Sequence, residues 1–206
     1  MTIINKLASS LDRRDQLPNQ ELASEILASR NKKAVRELVE NLSNKKAIQN
    51  DCIKVLYEVG ALDPALIADY IPEYLAALES KNNRLQWGAM TALCAVVDVK
   101  PKEIYDALTS ILAAMDKGSV ITKDNGVQIL IKLCAIQQYS AQVFPLLIEQ
   151  LLKSPTNQLP MYAERAVPII KDPNKVLFVK TLTSRLGDIE KDSKRARIEK
   201  VIRKFC

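Results

Sequence analysis

The chain has 206 residues, 48% of them apolar, 26% charged and 5% aromatic, with a net charge of +6; that length suits one domain or one continuous array of repeats. Only five glycines and few aromatic residues argue against an all-β fold, which draws on β-branched and aromatic strands and on turn glycines. With no histidine at all, the chain lacks the commonest general base and metal ligand, and with them the Ser-His and Cys-His nucleophile pairs.

The chain begins MTIINKLASSLDRRD, with no basic start leading into a long apolar stretch, so no secretory signal and a cytoplasmic location are expected. From there on, apolar residues recur at three- and four-residue spacing, the period of a helix. The spacing predicts helices over 2–10, 19–29, 32–42, 45–59, 64–80, 83–98, 102–116, 120–137, 140–153, 158–170, 174–186 and 189–204. Pro18, Gly60, Asp63-Pro64, Pro101, Gly118, Pro155, Asp172-Pro173 and Gly187 punctuate them. Each Asp-Pro pair reads as an N-cap followed by proline in the first turn, where its missing N–H costs nothing. Short breaks between such helices imply antiparallel neighbours. The longest apolar run, 89–97, is about nine residues, well short of the roughly 18 that span a bilayer. No membrane partner is expected.

The helices repeat. The stretch "AMTALCAV" (89–96) matches "ILIKLCAI" (129–136) at an offset of 40, aligning Leu93-Cys94-Ala95-Val96 with Leu133-Cys134-Ala135-Ile136. "CIKVLYEV" (52–59) matches "AMTALCAV" at an offset of 37, aligning Leu56 with Leu93 and Val59 with Val96. "YIPEYLAALES" (70–80) and "VFPLLIEQLLKS" (143–154) each carry an early proline before a leucine-rich stripe.

This pattern resembles the HEAT-repeat, armadillo-like α-solenoids. The resemblance covers roughly residues 31–187 and is clearest over 69–99, where Pro72 matches the first-helix proline and "RLQWGAMTAL" takes the place of the second-helix motif. Ser80 and Gln86 stand where the family carries its aspartate and arginine, so the ladder that regularises such stacks is absent. The resemblance implies an all-α fold, a right-handed α-α superhelix of stacked antiparallel helix pairs with irregular repeats. The expected organisation is a single domain over 1–206: N-terminal capping helices (1–30), repeats (31–187) and a basic C-terminal capping helix (188–206).

On a helical wheel centred on Leu93, Gln86, Ala89, Met90, Val96 and Val97 fall within about 60° of it and face the core, while Trp87 sits near 120°, at the edge of the stripe. Val127 and Asn50 hold the corresponding edge of their own helices. That edge meets the next repeat in a solenoid. Trp87, the only tryptophan, therefore either packs between repeats or opens onto the groove as a binding anchor. Gly88 beside it lets another helix approach, against a helix cost near 1 kcal/mol.

In the family, second helices line a concave, macromolecule-binding surface. The resemblance thus implies a partner-binding set of Lys54, Arg84, Trp87, Thr91, Asp124 and Ile131, with another protein or a peptide as partner. The same far-side positions are also where an ordinary solvated helix face would fall. A rival reading lies in the tail. Residues 171–206 hold 11 Lys and Arg against 5 Asp and Glu, which accounts for the entire +6. Arg195, Arg197, Lys200 and Arg203 are the nucleic-acid candidates under that alternative, on the analogy of HEAT-like DNA-repair glycosylases. The wheel spreads these cations around the last helix and does not focus them on one side, as a phosphate-tracking stripe requires.

The remaining search is negative. There is no GxGxxG, GxxxxGK[ST], HExxH or GxSxG. Cys52, Cys94, Cys134 and Cys206 form no CxxC pair, and the first three lie in apolar helical patterns. They are expected to be buried and reduced, without a disulfide or metal. No catalytic residue, cofactor, metal or small-molecule substrate is expected, and the functional expectation is a non-catalytic protein-binding scaffold.

Overall fold

A computed structural model of the protein describes residues 2–205. Among the described residues there are twelve α-helices and no strand, so the fold is all-α. They are α1 (Leu17–Ser29), α2 (Lys32–Glu40), α3 (Lys46–Leu62), α4 (Ile71–Leu78), α5 (Asn83–Val96), α6 (Pro101–Asp106), α7 (Leu108–Lys117), α8 (Val120–Ala135), α9 (Gln137–Lys153), α10 (Leu159–Ala166), α11 (Asp172–Ser184) and α12 (Asp192–Ile202). None is long and apolar enough to cross a membrane.

Several boundaries differ from expectation for identifiable reasons. The segment 2–10 forms two 3-10 turns, Ile3–Lys6 and Ala8–Leu11, in place of a helix. The expected helix over 64–80 opens as two further 3-10 turns, and α4 begins at Ile71 with Pro72 in its first turn. A proline deeper in the helix would remove a ladder hydrogen bond and clash with the preceding turn. Gly60 does not end α3, which runs on to Leu62. It is instead a contact point: a Cβ there would lie 2.3 Å from Ile67 Cδ1. Neither Asp-Pro aspartate caps a helix through its side chain. Asp63 instead pairs with Arg30, and Asp172 is the first residue of α11.

The chain divides into two compact units, 1–126 and 127–206. In the first, α3 packs against α1, α2 and α5, and α5 packs against α4. Leu56, Met90 and Leu93 are fully buried there. The helices α3 and α5 approach closely at Gly88, where a Cβ would stand 2.7 Å from Ile53 Cγ1; the glycine's lack of a side chain sets that spacing. A polar knot ties the N-terminal turns to the helices. Asn19, fully buried, accepts from the Ala8 amide and donates to Asp51, whose carboxylate also accepts from the Ser9 amide.

In the second unit, α9 packs against α10 and α11, while α12 packs against α10 and α11. Leu133, Leu147, Leu159, Phe178 and Ile198 are fully buried. Arg185, just after α11, donates to the Leu151, Leu152 and Ser154 carbonyls at the end of α9.

Cys52, Cys94 and Cys134 are buried thiols with no disulfide, as expected; Cys206 lies outside the described residues. Burial pushes the Cys52 and Cys134 thiols up to about 12 from 9.0, with the Asp51 and Glu37 carboxylates adding to the effect at Cys52. The thiolate is the reactive form, so neither should react with a disulfide reagent at neutral pH until the chain is unfolded. Because the raised values favour the protonated thiol, this stability is complete below pH 9.0. It is lost as pH rises towards about 12. Native and denatured thiol counts should therefore differ by at least these two; rapid native modification of either would contradict the burial.

Candidate functional site

The helices α3 and α5 run side by side in the same direction. Asn50 meets Asn82, Ile53 meets Gly88, and Gly60 meets Ala95 along the seam. On their outer edge the Tyr57 and Trp87 rings pack with centroids 5.6 Å apart, tilted at 45°. Both are half-buried. Trp87 thus packs between adjacent helices and still presents part of its ring to solvent. Of the positions aligned with it, Asn50 is also half-buried, whereas Val127 is buried.

Charges frame the rings. Lys54 lies one turn before Glu58 and pairs with it, and its ammonium sits 5.1 Å from the Tyr57 ring centroid, a cation–π distance. Burial works against the Lys54 charge, but hydrogen bonds to Glu58 and Tyr57 outweigh it and hold its pKa above the ordinary lysine value. Arg84 lies one turn before Trp87. Its amide is capped by the Asn82 side chain at 3.2 Å, and its Nε is buried with no hydrogen-bond partner.

Side-chain amides stitch the face together. Asn82 donates to Gln49 at 3.0 Å and to Asn50 at 2.9 Å, linking the start of α5 to α3. Thr91 donates to the Trp87 carbonyl at 2.8 Å and accepts from Asn125 in the first turns of α8 at 3.1 Å. These contacts tie α5 to α3 on one side and to α8 on the other.

Of the six sequence-derived partner-binding residues, the structure brings Lys54, Arg84, Trp87 and Thr91 onto one face, with Asp124 half-buried beside Asn125. Ile131 departs from expectation. It is only 5% exposed, so this branched apolar side chain is covered and does not offer a groove surface. Tyr57, Glu58, Asn82 and Asn125 were not singled out from sequence. Tyr57 alone carried a signal, since it lies on the same wheel edge as Trp87.

The four basic candidates do not form one available patch. Arg197 makes a two-pronged contact with Glu164, Nε to Oε1 at 2.8 Å and a terminal nitrogen to Oε2 at 2.6 Å. This contact lowers the Glu164 pKa below the ordinary glutamate value and raises that of Arg197. Arg195 donates to the Ile189 carbonyl at 2.8 Å. Lys200 and Arg203 remain exposed.

The face offers two aromatic surfaces, mixed charge and amide groups, while the buried Cys52, Cys134 and Tyr74 hydroxyl and thiol groups are held in their protonated forms, chiefly by burial.

Fold and face together define an all-α protein of packed helices with a half-open aromatic seam. No family model matches the chain, and no curated protein does. Solved structures do. One is an engineered protein solved by the Northeast Structural Genomics Consortium, 18% identical with a TM-score of 0.66, covering 99% of this chain and 100% of its own. A second engineered protein from the same consortium is also 18% identical, with a TM-score of 0.61, covering 99% of this chain and 98% of its own. At this identity the likeness is one of fold.

Proposed function

We propose that the protein is a non-catalytic scaffold, a short HEAT-like helical array that binds another protein or a peptide through the α3–α5 face. The observation that carries this reading is the half-buried Tyr57–Trp87 pair, 5.6 Å apart and framed by Lys54, Glu58 and Arg84. Large rings already fixed by packing lose little freedom on binding, and aromatic and arginine side chains dominate the energetics of protein interfaces. Arg84, half-buried on the same face, adds a cationic side chain to that surface. The tail supports the choice from the other side, because Arg195 and Arg197 are engaged within the protein. We place the protein in the cytoplasm, in keeping with its buried thiols.

The test is quantitative recovery of partners from native lysate with Trp87→Ala, Tyr57→Ala, Arg84→Glu and a Lys200→Glu/Arg203→Glu double variant, alongside titration with DNA and RNA at two salt concentrations. The first three variants should each weaken recovery of the main partner about tenfold or more, a loss of about 1.4 kcal/mol. The tail variant should bind as the parent does. Trp87→Ala should cost less stability than the about 3–5 kcal/mol of a fully buried aromatic, because the ring is only half-buried. Tight nucleic-acid binding that falls steeply with salt and is lost only in the tail variant would replace this reading with the nucleic-acid one.

A further inference from the structure

A second surface lies in the other unit, on α11. Val176 is 76% exposed and Leu177 45%, an unusual exposure for branched apolar side chains one turn into a helix. Val176, Val179, Lys180 and Thr183 follow one another at spacings of three, one and three and so share a helix face. That face forms one wall of a depression of about 530 Å³. Phe205 lines it from the end of the chain and is fixed there by an edge-to-face contact with the buried Phe178, centroids 5.6 Å apart at 83°. Lys175 and Lys180 stand at its rim, and among the described residues no carboxylate lines it.

The charge is the informative feature. The segment 171–206 holds the whole net charge of the protein. Within it, Arg185 is committed to Asp188 and the end of α9, and Arg197 to Glu164. Lys175 and Lys180 make no ion pair among the described residues. Two ammonium groups therefore flank an apolar floor with no ion-pair partner among the described residues.

We infer that this depression docks an acidic segment of a partner protein, one that sets a leucine or phenylalanine side chain between Val176, Val179 and Phe205 and carboxylates against Lys175 and Lys180. Each half of the site rules on a different occupant. Phosphates of a nucleic acid would use the lysines and leave the apolar floor uncovered. A membrane takes apolar side chains that project into it, whereas Val179 and Phe205 line a recess. A second copy of this chain would bring its own excess of positive charge to the same place. An acidic peptide with a bulky apolar residue satisfies both halves, and the charge on it speeds encounter as well as fixing orientation. The site shares no residue with the α3–α5 face, so the two proposals stand or fall independently.

The experiment uses the full chain and a short fluorescein-labelled peptide of glutamates interrupted by two leucines and a phenylalanine, followed by fluorescence anisotropy at low and high salt. Saturable binding is expected, weakened by salt as exposed charges are screened. Val176→Asp and Lys180→Glu should each reduce affinity about tenfold or more while the melting temperature stays at the parent value, because Val176 is exposed. A peptide with the same glutamates and serines in place of the apolar residues should bind about tenfold more weakly. Equal binding of the serine peptide would reduce the site to charge attraction and overturn the proposal. So would indifference to both substitutions, failure of the leucine–phenylalanine peptide to bind, or displacement of that peptide by anionic vesicles or single-stranded RNA at lower concentration than by unlabelled peptide. Sedimentation of the free protein closes the list: a dimer dissolved by Val176→Asp would assign the face to self-association and not to an acidic partner.

Discussion

Asn19→Ala is expected to destabilise the first unit by about 3–5 kcal/mol, the range for breaking a buried charged network, and to lower its melting temperature by about 10 °C or more. Asn19 is fully buried, and its carbonyl oxygen accepts from the Ala8 amide at 3.0 Å. Its amide donates to Asp51 at 2.8 Å and to Gln16 at 3.3 Å. Asp51 is itself 5% exposed, and its other oxygen accepts from the Ser9 amide at 2.8 Å. Alanine would strand one backbone donor and remove one of the two donors that make a buried carboxylate tolerable. A stranded buried donor alone costs about 1–3 kcal/mol, and a lost bond to a charged group about 1.5–3. Asn19→Asp keeps the shape but places a second carboxylate beside Asp51, so it should be no milder. Urea unfolding decides the matter: the midpoint should fall with an unchanged slope. A loss under about 1 kcal/mol, the worth of an ordinary neutral hydrogen bond, would mean that the knot is an ornament of the fold.

That knot also shows where sequence reading stops. The three- and four-residue periodicity marked the stretch of chain in which each of α1 to α12 lies, although it ran α6 and α7 together as one helix over 102–116, because burying one stripe of a helix is a demand that each segment states locally. The segment 2–10 carries some of the same apolar spacing yet folds as two 3-10 turns. Its course is held instead by bonds to Asn19 and Asp51, 11 and 42 residues away in sequence. Gly60 illustrates a related limit. Glycine punctuates helices when its backbone freedom is used, but here its missing side chain is used, against Ile67, and α3 continues past it. Gly88 was legible for the converse reason: it stands inside an unbroken helical pattern, where close approach is the obvious use.

The candidate face divides in the same way. Trp87 and Arg84 could be placed from one helix alone, since a wheel gives the edge and the far side of that helix. Asn82 and Asn125 could not, because their partners Asn50 and Thr91 lie 32 and 34 residues away and become partners only once neighbouring helices are in register. Ile131 fails for want of the same information. A wheel reports where a side chain points and is silent on what covers it. Offsets of 37 and 40 residues between the matching stretches already signal that successive helices do not repeat a single geometry, so a position that opens on one helix can close on another.

Arg185→Ala is expected to cost the second unit about 2–4 kcal/mol, on the scale of hydrogen bonds to charged groups. The last carbonyls of a helix have no partner within it and sit at the negative end of its dipole. In α9 the Leu151 and Leu152 carbonyls accept from one terminal nitrogen of Arg185 at 2.8 and 2.5 Å, and the Ser154 carbonyl accepts from the other at 3.0 Å. The guanidinium Nε, meanwhile, is held by Asp188 at 2.6 Å. The Arg185 side chain is 13% exposed, so water does not take its place readily, whereas that of Asp188 is 56% exposed. The two partners should therefore respond unequally. Asp188→Ala should cost less than about 1 kcal/mol, as exposed ion pairs do. Arg185→Lys should recover less than half of the loss, since an ammonium's three N–H donors all leave one nitrogen and cannot span the three carbonyls as a planar fork can. Urea unfolding of the three variants, with amide hydrogen exchange read at the end of α9 and along α11, measures both effects. Exchange should speed up at both places in Arg185→Ala and at neither in Asp188→Ala. Parent-like stability in Arg185→Lys would show that charge near the helix end suffices and that the fork geometry contributes nothing.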